Sequence, residues 1–424
     1  MAATVTAGLA TLALVAGCGS SGVDSGGKVT INFIESDAPA AFKGLVKGFE
    51  AKNPNVEVKI VNVPFDQLDK VLQARLGTKD TSIDVLYADP SSIPSYVAKG
   101  WLADLSADRA KADAADLAST VTASTYRGRL YALPMWTSAQ FLYYNKALLK
   151  KAGVTPPPMS PAKRWTWEQV VAAAKKAQHA GAQYGLLFDQ TDLYYQMQAL
   201  PESAGGGPGV VGGDLLTPDV TNAGWVKSMT WYRKLFADKV APRGVATDQM
   251  NVLFAAGKSA FFVGGPWSIG AFQNNKSKVD YGIAPHPYFA GGKVAMPTDS
   301  WSLGVSRYSE HQDAAKKFVE YMSFTKEGSL HTIDQILIPP ANKQAYDVYV
   351  TRLDKSHPPA TDGLGELMRE ELDKAAVHRP HTPGYVQMED VLNKAFSDIR
   401  NGADPKTTLA KAQKQLQSAF EQYR

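Results

Sequence analysis

The chain has 424 residues, of which 44% are hydrophobic and 20% are charged, and its net charge is +4. This length exceeds one typical hydrophobic core, so we expect two α/β units. The small net charge, without a dense cluster of lysine or arginine, gives no indication of nucleic-acid binding. Cys18 is the only cysteine, which excludes an intrachain disulfide. The composition is that of an ordinary soluble globular protein.

The N-terminal segment has the pattern of an export signal. An apolar run at residues 7–16 is too short to span a bilayer, and small residues precede Cys18. The pattern predicts a signal peptide over 1–17, then a lipidated cysteine and flexible tether over 18–27. The thiol resembles that of the bacterial lipobox; a free thiol near an ordinary cleavage site is the alternative. No lysine or arginine precedes Lys28, which is consistent with a start further upstream.

The first third of the chain alternates strands with amphipathic helices. Apolar patterns predict strands at 29–34, 56–60 and 83–88, with helical periodicity between them. Buried strands separated by helices indicate a parallel sheet, and ligands bind beyond the carboxyl ends of such strands. The polar candidates at these ends are Glu35, Ser36, Asp37 and Asp89.

A crossover segment at residues 126–151 follows. It holds two β-rich runs, 130–133 and 141–144, with Pro134 between them, and a proline cannot donate to a strand ladder. We interpret this segment as the place where the chain leaves one βαβ unit and begins another. An ordinary edge strand followed by a loop is the alternative.

The remaining chain repeats the pattern of strands and helices. Thr166 and Gln169 have the spacing of a capping box, and strands are predicted at 184–188, 259–263 and 302–305. Acidic and aromatic residues follow the strand at 184–188, again at a carboxyl end. They are Asp189, Asp192, Tyr194 and Tyr195.

The order of several short motifs resembles the extracellular solute-binding proteins, most closely their maltose-binding branch. Each motif alone is weak, but together they occur in family order from about Lys28 to the C-terminus. The resemblance therefore covers nearly the whole mature chain. The motifs include Tyr131–Pro134, Tyr143–Lys146, Thr166–Glu168, Phe254–Ala260 and Gly265–Trp267.

The resemblance implies an α/β fold of the two-lobe periplasmic-binding-protein type II. Each lobe would be a mostly parallel sheet flanked by helices, and paired crossovers would allow hinge closure, a motion known for periplasmic binding proteins. Lobe one would comprise 28–133 and 288–336, and lobe two 137–283 and 340–424. The hinges would lie near 131–136, 281–287 and 336–340.

The resemblance also implies ligand contacts. Trp267 matches a tryptophan that stacks on a sugar ring, while Asp192 and Tyr194 match a carboxylate and an aromatic of the maltose-binding cleft. The maltose-binding pattern has a lysine at Asp37 and a carboxylate just after the crossover proline, so maltose itself is not the expected ligand. The expected binding residues are Ser36, Asp37, Asp89, Trp136, Thr137, Ser138, Asp192, Tyr194, Tyr195, Trp267 and Trp301.

These features predict a binding protein of a carbohydrate ABC importer. Carboxylates accept hydrogen bonds from sugar hydroxyls, and unpaired polar groups in such a site create specificity. We expect a monomer, lipid-anchored through Cys18 to the outer face of the cytoplasmic membrane in a bacterial cell envelope. Its partners would be a carbohydrate ligand and the membrane permease subunits, without nucleic acid, cofactor or metal.

Three alternatives differ in ligand or in class of protein. A glycerophosphodiester or another phosphorylated polyol could serve the same kind of importer, although few arginines or lysines stand near the strand ends. A carbohydrate-active enzyme would need two opposed carboxylates, but no catalytic motif is present, so we expect no enzyme. His378 and His381 are expected in a solvated loop rather than at a metal. A lipid-anchored adhesion or scaffold protein is the third alternative.

Overall fold

The computed structural model describes residues 27–424 except for 38, 277 and 278. The predicted signal peptide, Cys18 and nearly all of the tether lie outside the described residues. Within the described part of the chain, no helix is long and apolar enough to cross a membrane.

Strands and helices alternate along most of the chain. The strands are β1 (Val29–Glu35), β2 (Val56–Asn62), β3 (Val85–Ala88), β4 (Thr125–Tyr126), β5 (Arg129–Leu130), β6 (Ala132–Pro134), β7 (Phe141–Asn145), β8 (Tyr184–Phe188), β9 (Val210–Val211), β10 (Thr217–Pro218), β11 (Ser259–Gly264), β12 (Tyr281–Pro285), β13 (Met296–Pro297), β14 (Ser302–Val305) and β15 (Ala376–Val377).

The helices vary from one turn to more than four turns. They are α1 (Lys43–Lys52), α2 (Leu68–Gly77), α3 (Ile93–Ala98), α4 (Arg109–Ala115), α5 (Ala118–Ala123), α6 (Lys146–Lys151), α7 (Trp167–His179), α8 (Tyr194–Met197), α9 (Ala199–Ser203), α10 (Ala223–Ala237), α11 (Gln249–Ala255), α12 (Trp267–Asn274), α13 (Gln312–Phe324), α14 (Lys326–His331), α15 (Lys343–Asp354), α16 (Leu364–Lys374), α17 (Tyr385–Arg400) and α18 (Pro405–Phe420).

The first sheet has five strands in the order β2-β1-β3-β14-β6. Strand β1 runs parallel to β2 and β3, with Val29 opposite Val56 and Phe33 opposite Val85, which confirms the predicted parallel arrangement. Strand β14 lies antiparallel between β3 and β6. The chain therefore returns to the first sheet after it has built the second one.

The second sheet has four strands in the order β12-β7-β11-β8. Strands β8 and β11 are parallel, whereas β7 is antiparallel to both of its neighbours. Because successive side chains of a strand point to opposite faces, Phe261 and Phe262 belong to two different apolar clusters. The cluster that contains Phe262 continues into the core of the first sheet, whereas the cluster of Phe261 includes side chains of α17 and α18.

The crossover segment differs in detail from the predicted strand at 130–133. Tyr131 separates β5 from β6, because Leu130 pairs with Thr125 in a small hairpin. Pro134 is the last residue of β6 and lies opposite Ser302 in β14. Just beyond it, Trp136 bridges to Pro340, so the first crossover lies beside the predicted link at 336–340.

Local sequence signals fix several helix ends as expected. Thr166 and Gln169 form a reciprocal capping box at the start of α7, and this satisfies backbone donors that the first helical turn leaves free. Asp404 caps α18 by accepting a hydrogen bond from the backbone N–H of Thr407. The reciprocal contacts of Thr166 and Gln169 confirm the predicted capping box.

Candidate functional site

Polar and aromatic side chains meet where β1, β2 and β3 end and the antiparallel strand β14 begins. We call this group the first-sheet edge (Glu35, Asp37, Asn62, Tyr87 and Trp301). Glu35 Oε1 accepts a hydrogen bond from Asn62 Nδ2 at 2.9 Å, and its Oε2 accepts the backbone N–H of Asp37. Asp37 Oδ2 accepts from the Tyr87 hydroxyl at 2.7 Å. Adjacent parallel strands end at the same edge, so their terminal residues meet there.

Burial changes the protonation of the two carboxyl groups at this edge. It raises the pKa of Glu35 to about 7, although Asn62 and the Asp37 backbone lower it in part. It also raises the pKa of Asp37, against the stabilising hydrogen bond from Tyr87. Near neutral pH, Glu35 is present in both the protonated and the ionised form. Such a group can both donate to and accept from a hydroxyl.

Aromatic rings continue from these carboxyl groups. Tyr87 stacks on Trp301 with ring centroids 4.8 Å apart and an interplanar angle of 26°. Trp301 is partly exposed, and its ring meets that of Phe65 edge to face at 6.1 Å. The first-sheet edge therefore joins hydrogen-bonding groups to an aromatic surface.

Trp136 lies beneath this surface. It is 1% exposed, its ring stacks on Phe42 at 6.0 Å, and its Nε1 donates to Thr332 Oγ1 at 2.8 Å. Protein atoms therefore cover the ring that the resemblance placed among the ligand contacts. The Ser36 hydroxyl differs, because its oxygen is buried without a hydrogen-bond partner among the described residues.

Ser138 lies at the junction of the two sheets. Its hydroxyl is 2.7 Å from the Tyr195 hydroxyl and donates to the Asp299 carbonyl oxygen at 2.7 Å. The neighbouring Thr137 donates its backbone N–H to Pro339. The structure thus brings together three of the predicted binding residues, although protein groups already bond to each of them.

A buried ion-pair network, which we call the arginine network (Asp89, Asp299, His378 and Arg379), adjoins this junction. Arg379 has a side chain only 3% exposed, and its Nη1 lies 2.6 Å from Asp89 Oδ2. Asp299 accepts the Arg379 backbone N–H at 3.1 Å and lies 2.6 Å from His378 Nδ1. The guanidinium also stands 5.2 Å from the Tyr195 ring centroid. Asp89 is therefore held by a cation within the protein.

The arginine network shifts the pKa values of its members. Burial alone would raise the pKa of Asp299, but the hydrogen bond and charge of His378 and the charge of Arg379 lower it overall. The same hydrogen bond, which the Asp299 carboxylate accepts, raises the pKa of His378. His378 was expected in a solvated loop, and its side chain is 49% exposed. Arg379, which follows it in this loop, is instead buried beside its acidic partners. No group of three metal-ligating side chains occurs among the described residues.

The carboxyl ends of β8 and β11 form the second-sheet edge (Asp189, Asn251 and Trp267). Trp267 Nε1 donates to Asp189 Oδ2 at 2.7 Å, and Asn251 donates to Asp189 Oδ1. Burial raises the pKa of Asp189 to about 6, against both hydrogen bonds. Trp267 is partly exposed, so a carboxyl group and an aromatic ring again lie side by side.

Asp192 and Tyr194 are directed toward protein partners. Asp192 Oδ1 accepts from the Tyr232 hydroxyl at 2.7 Å, and its Oδ2 lies 2.8 Å from Arg400 Nε. Tyr194 is fully buried and its hydroxyl donates to the Pro208 carbonyl oxygen. These contacts account for both side chains without a ligand.

Sequence patterns did not identify every member of the two edges and the network. The strand-end rule indicates Glu35 and Asp189, but neither was among the expected binding residues. Asn62 ends β2, so the same rule could have found it. Arg379 had no local signal, because its partner Asp89 is 290 positions away.

The chain forms two sheets that are flanked by helices and joined by crossovers, with acidic and aromatic side chains at the strand ends. This arrangement defines a two-lobe binding protein. A match to the model of the bacterial extracellular solute-binding proteins covers residues 34–328. The chain belongs to this family, whose members bind solutes and are not enzymes.

Individual relatives cover most of the chain. It is 25% identical over 404 residues to the galactooligosaccharide-binding protein of Bacillus subtilis, with 92% of this chain and 88% of the relative covered. It is 28% identical to the maltodextrin-binding protein of the same species over 72% of each chain. Its structure is similar to that of the GacH receptor of Streptomyces glaucescens, solved unliganded and with acarbose. The TM-score is 0.78 at 25% identity, with 93% of this chain and 99% of the receptor covered.

Proposed function

We propose that this chain captures a sugar or oligosaccharide between two lobes and delivers it to an ABC importer. The observation that carries the proposal is that both sheets end in a carboxyl group beside an aromatic ring. Asp37 lies with Tyr87 and Trp301 at one edge, and Asp189 lies with Trp267 at the other. Sugars present hydroxyls that bond to carboxyl groups and C–H faces that pack on rings. The ligands named for the relatives support this class of substrate.

The charges at the strand ends favour a neutral ligand over a phosphorylated polyol. Phosphate is bound best by arginine or lysine side chains that are free to pair with it. Arg379 is buried and lies 2.6 Å from Asp89, and Asp299 faces it as well. Burial already disfavours the ionised forms of Glu35 and Asp37, so a nearby phosphate would raise their pKa values further.

We assign the two lobes from the order in which the chain enters the two sheets. Lobe one comprises 28–133 and 288–336, and lobe two comprises 137–283 and 340–424. The return of β14 to the first sheet supports this division, as does the bridge between Trp136 and Pro340. Closure occurs at hinges near 131–136, 281–287 and 336–340.

The protein acts outside the cytoplasm as a monomer. The pattern of residues 1–17 directs export, and lipidation of Cys18 holds the chain at the outer face of the cytoplasmic membrane. There the closed protein presents its ligand to the permease subunits. The family match supports an extracellular role.

Calorimetry of the purified protein with mono-, di- and oligosaccharides and with glycerophosphodiesters tests this function. We expect micromolar or tighter binding of a sugar and full recovery of that sugar after overnight incubation. Trp267→Ala should weaken binding at least about tenfold, because a stacking ring contributes on the order of 1 kcal/mol and its hydrogen bond holds Asp189. Trp165→Ala is the matched control, since Trp165 is also partly exposed but lies outside both edges.

The outcomes separate the alternatives. Consumption of the sugar would favour an enzyme over a transport protein. Binding only of phosphate-bearing ligands would keep the transport function and replace the substrate. Absence of sugar binding by the wild-type protein would contradict the proposed substrate class.

A further inference from the structure

Phe65 exposes an aromatic ring close to the first-sheet edge. Its side chain is 52% exposed, and the other large apolar side chains exposed in the described part of the chain are valines. One exposed apolar residue needs no explanation by itself. The surroundings of Phe65, however, combine two further aromatic rings with hydrogen-bonding side chains.

The position of the ring is fixed by its neighbours. Phe65 follows Pro64 and opens a short 3₁₀ turn, Phe65–Gln67. Its ring meets Trp301 edge to face at 6.1 Å with an interplanar angle of 83°. Trp301 in turn stacks on the fully buried Tyr87. The three rings therefore extend from the core to the surface, and an anchored ring loses little conformational entropy when a ligand packs on it.

Hydrogen-bonding groups accompany this row of rings. Tyr87 donates to Asp37, and Asn62, three positions before Phe65, donates to Glu35 at 2.9 Å and to the Asp37 carbonyl oxygen. The row thus begins at carboxyl and amide groups, whose chemistry suits sugar hydroxyls, and ends at the exposed ring of Phe65. A single sugar ring at Asp37 and Trp301 would leave the face of Phe65 uncovered.

We propose that Phe65 is an outer stacking residue and that the ligand is an oligosaccharide whose successive rings pack on Trp301 and Phe65. This inference rests on the proposed sugar-binding function and adds the chain length of the substrate. Because the outer ring packs only on Phe65, this residue determines the preference for longer sugars over mono- and disaccharides.

Binding of linear gluco- and galactooligosaccharides of one to five units, measured by calorimetry, tests the proposal. For wild-type protein we expect affinity to rise with chain length. Phe65→Ala should weaken binding of tri- to pentasaccharides about tenfold and leave mono- and disaccharides within about twofold. Phe65→Trp keeps an aromatic face and should restore the preference. Val211→Ala is the control, because Val211 is 44% exposed and lies in the hairpin of β9 and β10.

Other outcomes would overturn the proposal in distinguishable ways. Equal weakening of every sugar by Phe65→Ala would mean that the ring only supports Trp301. Unchanged affinities with reduced uptake in cells would assign Phe65 to contact with the permease. In both cases sugar binding itself would stand. Failure of the wild-type protein to bind any sugar would remove this inference together with the proposed function.

Discussion

Asp116 provides a quantitative test of the electrostatics of the fold. It lies between α4 and α5, is fully buried, and its Oδ2 accepts from Ser323 Oγ at 2.8 Å. Its Oδ1 has no hydrogen-bond partner among the described residues. Burial raises the pKa of Asp116 from 3.8 to about 8, while the Ser323 hydrogen bond and the charge of Lys343 lower it in part.

The raised pKa makes stability depend on pH. The folded protein keeps the proton of Asp116 at pH values where the unfolded chain has released it. The stability that this proton contributes is fully present below pH 3.8 and is lost as pH rises through about 8. Each pH unit in this window corresponds to about 1.4 kcal/mol, so the contribution falls by about 3 kcal/mol between roughly pH 5 and pH 7.5.

Asp116→Asn removes the titration and nearly preserves the shape. The amide N–H of the variant lacks an acceptor, which lowers the free energy of unfolding by about 1–3 kcal/mol. This loss is the same at every pH. Between roughly pH 5 and pH 7.5, we therefore expect the unfolding free energy of the wild type to fall by about 3 kcal/mol relative to that of Asp116→Asn.

Urea unfolding followed by tryptophan fluorescence at several pH values measures this difference, because all other titrating groups cancel between the two proteins. Asp113→Asn is the control, since Asp113 is 51% exposed at a surface ion pair. A constant difference between Asp116→Asn and wild type across this pH range would refute the reasoning.

Two further perturbations test the arginine network and a helix cap. Arg379→Met leaves Asp89 and Asp299 without their buried cation and should cost about 3–5 kcal/mol in thermal unfolding, part of which Asp89→Asn in the same protein should restore. An unchanged melting temperature for Arg379→Met would contradict the pairing. Thr166→Ala removes the capping box of α7 and should cost about 1 kcal/mol, whereas Lys175→Ala on the surface of that helix should change stability by less than about 0.5 kcal/mol. Equal effects of the two changes would contradict a role for the cap.

Much of the local structure could be predicted because its determinants are close in sequence. The alternation in β1 and the caps at Thr166 and Asp404 depend on neighbours within a few positions. The insertion of β14 between β3 and β6 depends on pairing between distant segments, which periodicity does not encode. The family resemblance, rather than the pattern, supplied the expectation of a returning chain.

The candidate site was only partly predictable for the same physical reason. The strand-end rule located Asp37, and the Gly-Pro-Trp motif located Trp267 at the second-sheet edge. Residue type does not reveal which neighbours will cover a side chain. Phe42 and Tyr87 pack around Trp136, so its ring is buried in the core. Arg379 was missed because its burial depends on acidic partners far away in the sequence.

The two edges stabilise a buried carboxyl group in the same way. A carboxyl group that loses water needs donors, and at each edge an aromatic side chain supplies one: Tyr87 to Asp37 and Trp267 to Asp189. The donor holds the carboxyl group in place and sets a ring beside its remaining acceptor positions. In the proposed function, a sugar that contacts both edges would gain from each edge only when the two sheets approach one another. The proposal therefore links recognition of the ligand to closure of the lobes, because either edge alone would offer only part of the binding energy.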